Sequence, residues 1–296
     1  MTKSREPWAE KVLRKSSDSS PLVVGIDPVN AYVPTEISGE KDNYEWLRPY
    51  VQKLVEVVSK EVGFVKFQSA FFERYGHIGI EALSASIELA KSLDLAVILD
   101  AKRGDIGSTA AAYAEAYLTP DYAGSLSRME VDCMTINPFL GPQTMEPFLN
   151  CCRKFGKGVF ILAKTSNPDA GWIQDQAING TTISERIAFL ITEISSSLDH
   201  SDGLSPIGAV VGATYPEDAQ ALRKQMPNAI FLAPGLGSQG GSTDSFRSLA
   251  RPDGTGVVIS ASRGITKIED RSISESAYFD RVLTRIKEFK SELASE

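Results

Sequence analysis

Eight short apolar runs punctuate the chain: Leu22 to Ile26, Phe64 to Phe67, Ala96 to Leu99, Cys133 to Ile136, Val159 to Leu162, Ile207 to Val211, Ile230 to Ala233 and Val257 to Ser260. They are nearly continuous in hydrophobicity rather than alternating, the pattern of strands buried on both faces. Between them lie stretches with apolar residues at helical spacing, among them Trp46 to Val62, Ile80 to Leu93, Ala110 to Leu118, Ser184 to Leu198 and Pro216 to Gln225. Strand then helix, eight times over, predicts an α/β protein, a closed parallel (β/α)8 barrel of the TIM type spanning 1–296 as one domain. An open doubly wound sheet would give a similar string, and the count of eight decides between them. A short N-terminal extension, about residues 1–20, is expected to carry a helix over Trp8 to Lys15 that closes the bottom of the barrel. The connection Thr165 to Pro206 and the Gly/Ser-rich stretch Gly235 to Ser245 are candidate functional loops.

Length and composition fit that picture. The chain has 296 residues, 42% hydrophobic and 23% charged, the mixture of a globular protein rather than of a disordered, collagenous or coiled-coil one. With 31 basic against 38 acidic residues the net charge is −7, the wrong sign for coating nucleic acid, so any anionic ligand needs a local site. The cysteines, Cys133, Cys151 and Cys152, are odd in number with two adjacent, which does not read as a secreted disulfide framework. No export signal and no eighteen-residue apolar span is present, so a cytoplasmic protein without a membrane partner is expected. Two histidines and no HExxH, CxxC or EF-hand pattern argue against a transition-metal site built by the protein, leaving room only for Mg²⁺ held by a substrate.

In such a barrel the active site lies where the strands end, and the residues ending these runs are charged. Run 1 leads into Asp27, run 2 carries Lys66, run 3 continues as Asp100-Ala-Lys102-Arg-Gly-Asp105, and run 8 leads into Ser262-Arg263-Gly264. Taken singly, each has a structural reading as an ion pair closing the barrel top or, for Asp105, as a helix N-cap. Taken together they do not, because repeated burial of charge is costly and such clusters gather at functional sites. Asp100 and Lys102 stand two apart on a strand and are expected to face the same way. Gly235-Leu-Gly-Ser-Gln-Gly240 fits GxGxxG, yet it falls in the seventh βα unit and the next run ends in Arg263 rather than an acidic ribose binder. Loops after strands 7 and 8 of barrels often hold phosphate, and Arg263 adds a bidentate partner there.

The stretch Leu99-Asp100-Ala-Lys102-Arg-Gly-Asp105-Ile-Gly-Ser-Thr109, with Lys66 one strand earlier, Ala-Pro234-Gly235 and Ser262-Arg263-Gly264, resembles the orotidine 5′-monophosphate decarboxylases. Thr165-Ser166-Asn167-Pro168, Val211-Gly-Ala-Thr214 and Pro234-Gly-Leu-Gly-Ser-Gln239-Gly-Gly are similar to its longer bacterial branch. D-x-K-x-x-D alone is shared with hexulose-phosphate synthases; Ile106-Gly-Ser-Thr109 and the run 8 Arg-Gly favour the decarboxylase. Position 108 is Ser where many relatives have Asn, a departure outside the charged set.

The resemblance implies conversion of orotidine 5′-monophosphate to uridine 5′-monophosphate in pyrimidine biosynthesis, a carboxy-lyase reaction with no metal or organic cofactor. It implies a catalytic tetrad of Lys66, Asp100, Lys102 and Asp105, with Lys102 protonating C6 of the pyrimidine. Asp27 and Lys66 would hold ribose hydroxyls and Ser166 the pyrimidine edge, while Gln239, Arg263 and Gly264 would grip the phosphate, with Pro234 beside the substrate. Asp105 and Thr109 would reach into a neighbouring subunit's site, making a homodimer obligatory. Lys102 between carboxylates is expected to stay charged, and the Gly235 to Ser245 stretch to act as a lid. The segment after Ser166, including Trp172-Ile-Gln174, is expected to help cover the base, and Cys151 and Cys152 to be core residues of a helix. The competing readings are a Mg²⁺-dependent sugar-phosphate aldolase or decarboxylase on the same barrel and a non-catalytic nucleotide-binding protein. Asn137 and Lys164 after runs 4 and 5, where the former needs carboxylates, count against it; the intact tetrad counts against the latter.

Overall fold

The computed structural model describes residues 6–39, 44–124, 127–212, 216–235 and 248–294. Eight parallel strands close into a barrel: β1 (Leu22–Ile26), β2 (Phe64–Gln68), β3 (Ala96–Arg103), β4 (Cys133–Ile136), β5 (Gly158–Lys164), β6 (Ser205–Val211), β7 (Ala229–Pro234) and β8 (Val257–Ala261). Each pairs with the next, and β1 closes the ring against β8 with Leu22 beside Ile259. All eight fall on the apolar runs. Their residues are almost uniformly buried because the inner face fills the barrel and the outer face takes the helices.

The longer helices between strands are α2 (Leu47–Val58), α3 (Gly76–Ser92), α4 (Gly107–Leu118), α5 (Glu146–Phe155), α6 (Ile183–Ser196), α7 (Pro216–Gln225) and, after β8, α8 (Glu275–Ala294), preceded in the chain by α1 (Trp8–Asp18). α6 starts at a capping box: the Thr182 hydroxyl accepts from the Glu185 amide while the Glu185 carboxylate accepts from the Thr182 amide. α5 buries Phe148, Leu149, Cys151 and Cys152 and stops at Gly156, whose φ of 64° only glycine adopts without strain. Most of the connection between β7 and β8, residues 236–247, lies outside the described residues, and with it most of the expected lid.

α1 closes the barrel at the ends where strands begin. Trp8, Ala9 and Val12 join the interior cluster formed by Val23, Phe64, Phe160 and Val258, with the Trp8 ring edge-on to Phe160 at 6.0 Å. Residue 158 must be glycine for this, since a Cβ there would stand 2.1 Å from the indole. Ion pairs fasten the helix, Lys11 to Asp132 at 2.7 Å, Lys15 to Asp94 at 2.6 Å and Arg14 to Asp94 at 3.5 Å.

Candidate active site

At the opposite end the strands finish around a cavity of about 470 Å³. Parallel strands deliver their C-terminal residues to one place, so five chain segments far apart in sequence meet there: Asp27 after β1, Lys66 and Gln68 on β2, Asp100 and Lys102 on β3, Ser166 after β5, and Arg263 after β8.

Asp100 is the hub. Its Oδ2 accepts from Lys66 Nζ at 3.2 Å and Gln68 Nε2 at 3.0 Å, and its Oδ1 from Lys102 Nζ at 2.6 Å and the Thr135 hydroxyl at 2.9 Å. Four donors fill the acceptor capacity of an ionised carboxylate. Burial opposes its charge, but the Lys66 and Lys102 ammoniums, with the bonds from Lys102 and Thr135, outweigh it and hold the Asp100 carboxyl well below the usual carboxylate range. Burial likewise opposes the charge of Lys66; Asp100 and Asp27 overcome it and push its ammonium above the ordinary lysine value. The side chains of Lys66 and Asp100 are 7% and 10% exposed, whereas that of Lys102 is 43% exposed, so the third member is the one open to a ligand.

Asp100 and Lys102 do converge, but not through strand alternation. The β3–β4 ladder shifts register between Leu99 and Arg103, and Lys102 sits at φ 48°, in the left-handed region. The bulge, not the pleat, directs Lys102 back onto Asp100.

Asp105 is not brought to this group within the chain. Its Oδ1 accepts from the Ile106 amide, and it does not line the cavity. Nor is it a helix cap, since Ile106 holds the N-cap position of α4 without a side-chain bond. Thr109 is exposed on the same rim. Asp27 Oδ1 is buried with no hydrogen-bond partner among the described residues, an acceptor awaiting a donor. Ser166 reaches the cavity edge because residue 212 is glycine, where a Cβ would stand 2.9 Å from Ser166 Cα. Arg263 and Pro234 line the cavity, and Arg263 is exposed with no ion pair among the described residues. Gly264 does not line it, and its carbonyl accepts from Arg285. Gln239, Ala213 and Thr214 lie outside the described residues.

Two polar residues escaped the sequence reading. Gln68 stands two positions beyond Lys66 on the same strand face, a signal that was legible. Thr135 is a polar residue inside an otherwise apolar run, visible as an anomaly. Gln174 belongs to the Trp172-Ile-Gln174 segment expected over the base; its side chain accepts from the Thr165 amide at 2.9 Å and donates to Thr165 Oγ1 at 2.8 Å, and it lines the cavity. The connection after β5 thus contributes Gln174 to the wall, whereas Trp172 is 79% exposed and does not line it. Lys164 is buried against Asp175 and Asp218, which ties that connection and α7 to the end of β5. Among the described residues no group of three His, Cys, Asp or Glu side chains converges to hold a metal ion, and no helix is long and apolar enough to cross a membrane.

Comparison with known proteins matches residues 20–275 to the Orotidine 5′-phosphate decarboxylase / HUMPS family. A relative named orotidine 5′-phosphate decarboxylase from Rhodopirellula baltica is 42% identical over 273 residues, 88% of this chain and 89% of the relative. One of the same name from Caldicellulosiruptor bescii is 37% identical over 83% of this chain and 85% of its own. Among solved structures, a putative orotidine 5′-phosphate decarboxylase from Streptomyces avermitilis superposes with a TM-score of 0.82 at 32% identity, covering 99% of this chain and 98% of that one. With a family match that spans the whole barrel and relatives aligned along most of both chains, this chain belongs to the orotidine 5′-phosphate decarboxylase / HUMPS family.

Proposed function

We propose that the chain is a carboxy-lyase that converts orotidine 5′-monophosphate to uridine 5′-monophosphate, with Lys102 as the group that meets the reacting carbon. The observation that carries this reading is the exposed Lys102 ammonium bonded to a buried, saturated Asp100 at the floor of a nucleotide-sized cavity. When the bond between C6 and the carboxylate breaks, its electron pair stays on C6 in the ring plane, where no carbonyl delocalises it. A fixed ammonium stabilises that charge and then gives C6 its proton, leaving a neutral amine that solvent reprotonates. Asp100 orients Lys102 and, near the leaving carboxylate, repels it in the ground state.

Asp27, whose buried oxygen has no partner among the described residues, and Lys66 suit the ribose hydroxyls. Ser166 faces the pyrimidine edge, and Arg263, with Pro234 and Gly264 nearby and Gln239 on the connection beyond β7, receives the phosphate. The phosphate is remote from the bond broken, so its binding energy acts by ordering the site. Asp105 and Thr109 serve a second subunit's site in a homodimer; the exposed apolar residues Ile106 and Phe139 on the same rim, 62% and 77% exposed, support such a contact. The three free cysteines suit the reducing cytoplasm.

The test is the loss of orotate-ring absorbance on adding orotidine 5′-monophosphate, with and without EDTA. Rapid, chelator-insensitive formation of uridine 5′-monophosphate is expected; turnover of a sugar phosphate with added Mg²⁺ and none of the nucleotide would overturn the reading. Mixing inactive Lys102→Ala with inactive Asp105→Ala protein should restore activity, because one site of the mixed dimer then carries both native residues. No recovery on mixing removes Asp105 from the partner's site.

A further inference from the structure

The bulge in β3 places three residues, Asp100, Ala101 and Lys102, opposite the single residue Thr135 of β4, between the paired positions Leu99–Met134 and Arg103–Ile136. A bulge of this kind leaves backbone groups without ladder partners. The orphan here is the Lys102 amide, and it donates to the Thr135 hydroxyl at 2.9 Å rather than to a β4 carbonyl. The ladder then resumes with the Asn137 amide donating to the Arg103 carbonyl. Lys102 also sits at φ 48°, a conformation that costs a non-glycine residue energy and persists only where its surroundings enforce it.

Thr135 is fully buried, so nothing but protein competes for its hydroxyl. A hydroxyl has one proton to give, and Thr135 gives it to Asp100 Oδ1 at 2.9 Å, the same oxygen that takes the Lys102 ammonium at 2.6 Å. One side chain therefore holds Lys102 at its backbone and Asp100 at its carboxylate, closing a ring of contacts around the bulge.

We propose that Thr135 is a positioning residue: its hydroxyl substitutes for the missing strand acceptor, holds Lys102 in the left-handed conformation and fixes the Lys102–Asp100 pair in the geometry the reaction uses. This rests on the reading of Lys102 as proton donor. A displacement of about 1 Å in such a group lowers rates by about 100-fold, whereas nucleotide binding through Arg263 and Asp27 lies elsewhere.

The experiment compares Thr135→Ser, Thr135→Ala and Thr135→Val, each checked for folding by circular dichroism, with Lys102→Ala as control. Ser and Ala both lack the methyl and differ only in the hydroxyl, so their comparison isolates it. The expected result is a kcat lowered about 10- to 100-fold in Ala and Val, KM and uridine 5′-monophosphate affinity within about threefold of the native protein, and most of kcat retained in Ser. Equal kcat in Ser and Ala overturns the proposal, as does a loss confined to KM or a loss of fold in all three. A Lys102→Ala protein that keeps its turnover instead overturns the role of Lys102, whatever the Thr135 series shows.

Discussion

Both ends of the barrel bury lysines against carboxylates, with opposite consequences. At the bottom, Lys157 and Glu130 are each only 3% exposed, Lys91 joins them, and α1 adds Lys11 on Asp132. There burial opposes the charge of Asp132, but Lys11 and Lys157 overcome it and keep its carboxyl low. At the mouth, Asp100 is saturated in the same way, yet one of its lysines faces a cavity and Asp27 keeps an acceptor unused among the described residues. The same pairing thus closes a surface at one end and presents a charge at the other. What separates them is access: α1 covers the strand starts, while no described element fills the space above the strand ends.

Substitutions at the two ends should therefore separate turnover from stability. The largest effect is expected from Lys102→Ala, which should lower kcat by at least about 1,000-fold through loss of both the proton donor and the charge over C6. Binding of uridine 5′-monophosphate and the urea midpoint should stay close to native; appreciable turnover in single-exchange assays removes Lys102 from the chemistry. Lys157→Met should do the reverse, costing about 3–5 kcal/mol of stability by leaving Glu130 without its buried partner, with kcat per folded molecule unchanged. A urea midpoint equal to native in that variant would show that Lys91 alone satisfies Glu130.

Arg263→Ala should weaken substrate binding by about 2–4 kcal/mol, the loss of a charge-assisted pair with phosphate. An unchanged KM would place the phosphate elsewhere. The smallest effect is on the pH dependence of stability. Asp94, Asp100 and Asp132 all have carboxyls below their ordinary value of 3.8, so their contribution is present above that value and is lost as pH falls through the lower folded values. Lys66 is raised above 10.5, so its contribution is complete below that value and disappears as pH climbs past the folded one. Urea midpoints should be flat between about pH 5 and 9 and decline outside. In Asp132→Asn the acid decline should shrink, and an unaltered slope would show that the bottom cluster does not drive it.

The two ends also differed in how far the sequence reveals them. The eight runs, the bottom helix over Trp8 to Lys15 and the gathering of Asp27, Lys66, Asp100, Lys102 and Arg263 at one rim all follow from hydrophobic period and from the parallel barrel, which carries every strand end to the same face. The buried clamp of Lys157 and Glu130 left no such trace, because neither ends a strand. Lys102 reached Asp100 for a reason the spacing misstates, since a bulge leaves no mark in a two-residue interval. Asp105 shares the motif with Lys102 but not its location, because the chain leaves the barrel axis after Arg103 and enters α4.

The barrel and the charged residues at its mouth can be read from local order alone, because burial on two faces and the chemistry of strand ends are properties of short stretches. Folding in three dimensions sets which donors surround Asp100, that Thr135 closes the bulge, that Gln174 rather than Trp172 enters the wall, and that Lys102 is exposed while Lys66 and Asp100 are buried. Most of those are contacts across strands, and their geometry depends on register and backbone dihedral angles that no single stretch of sequence encodes.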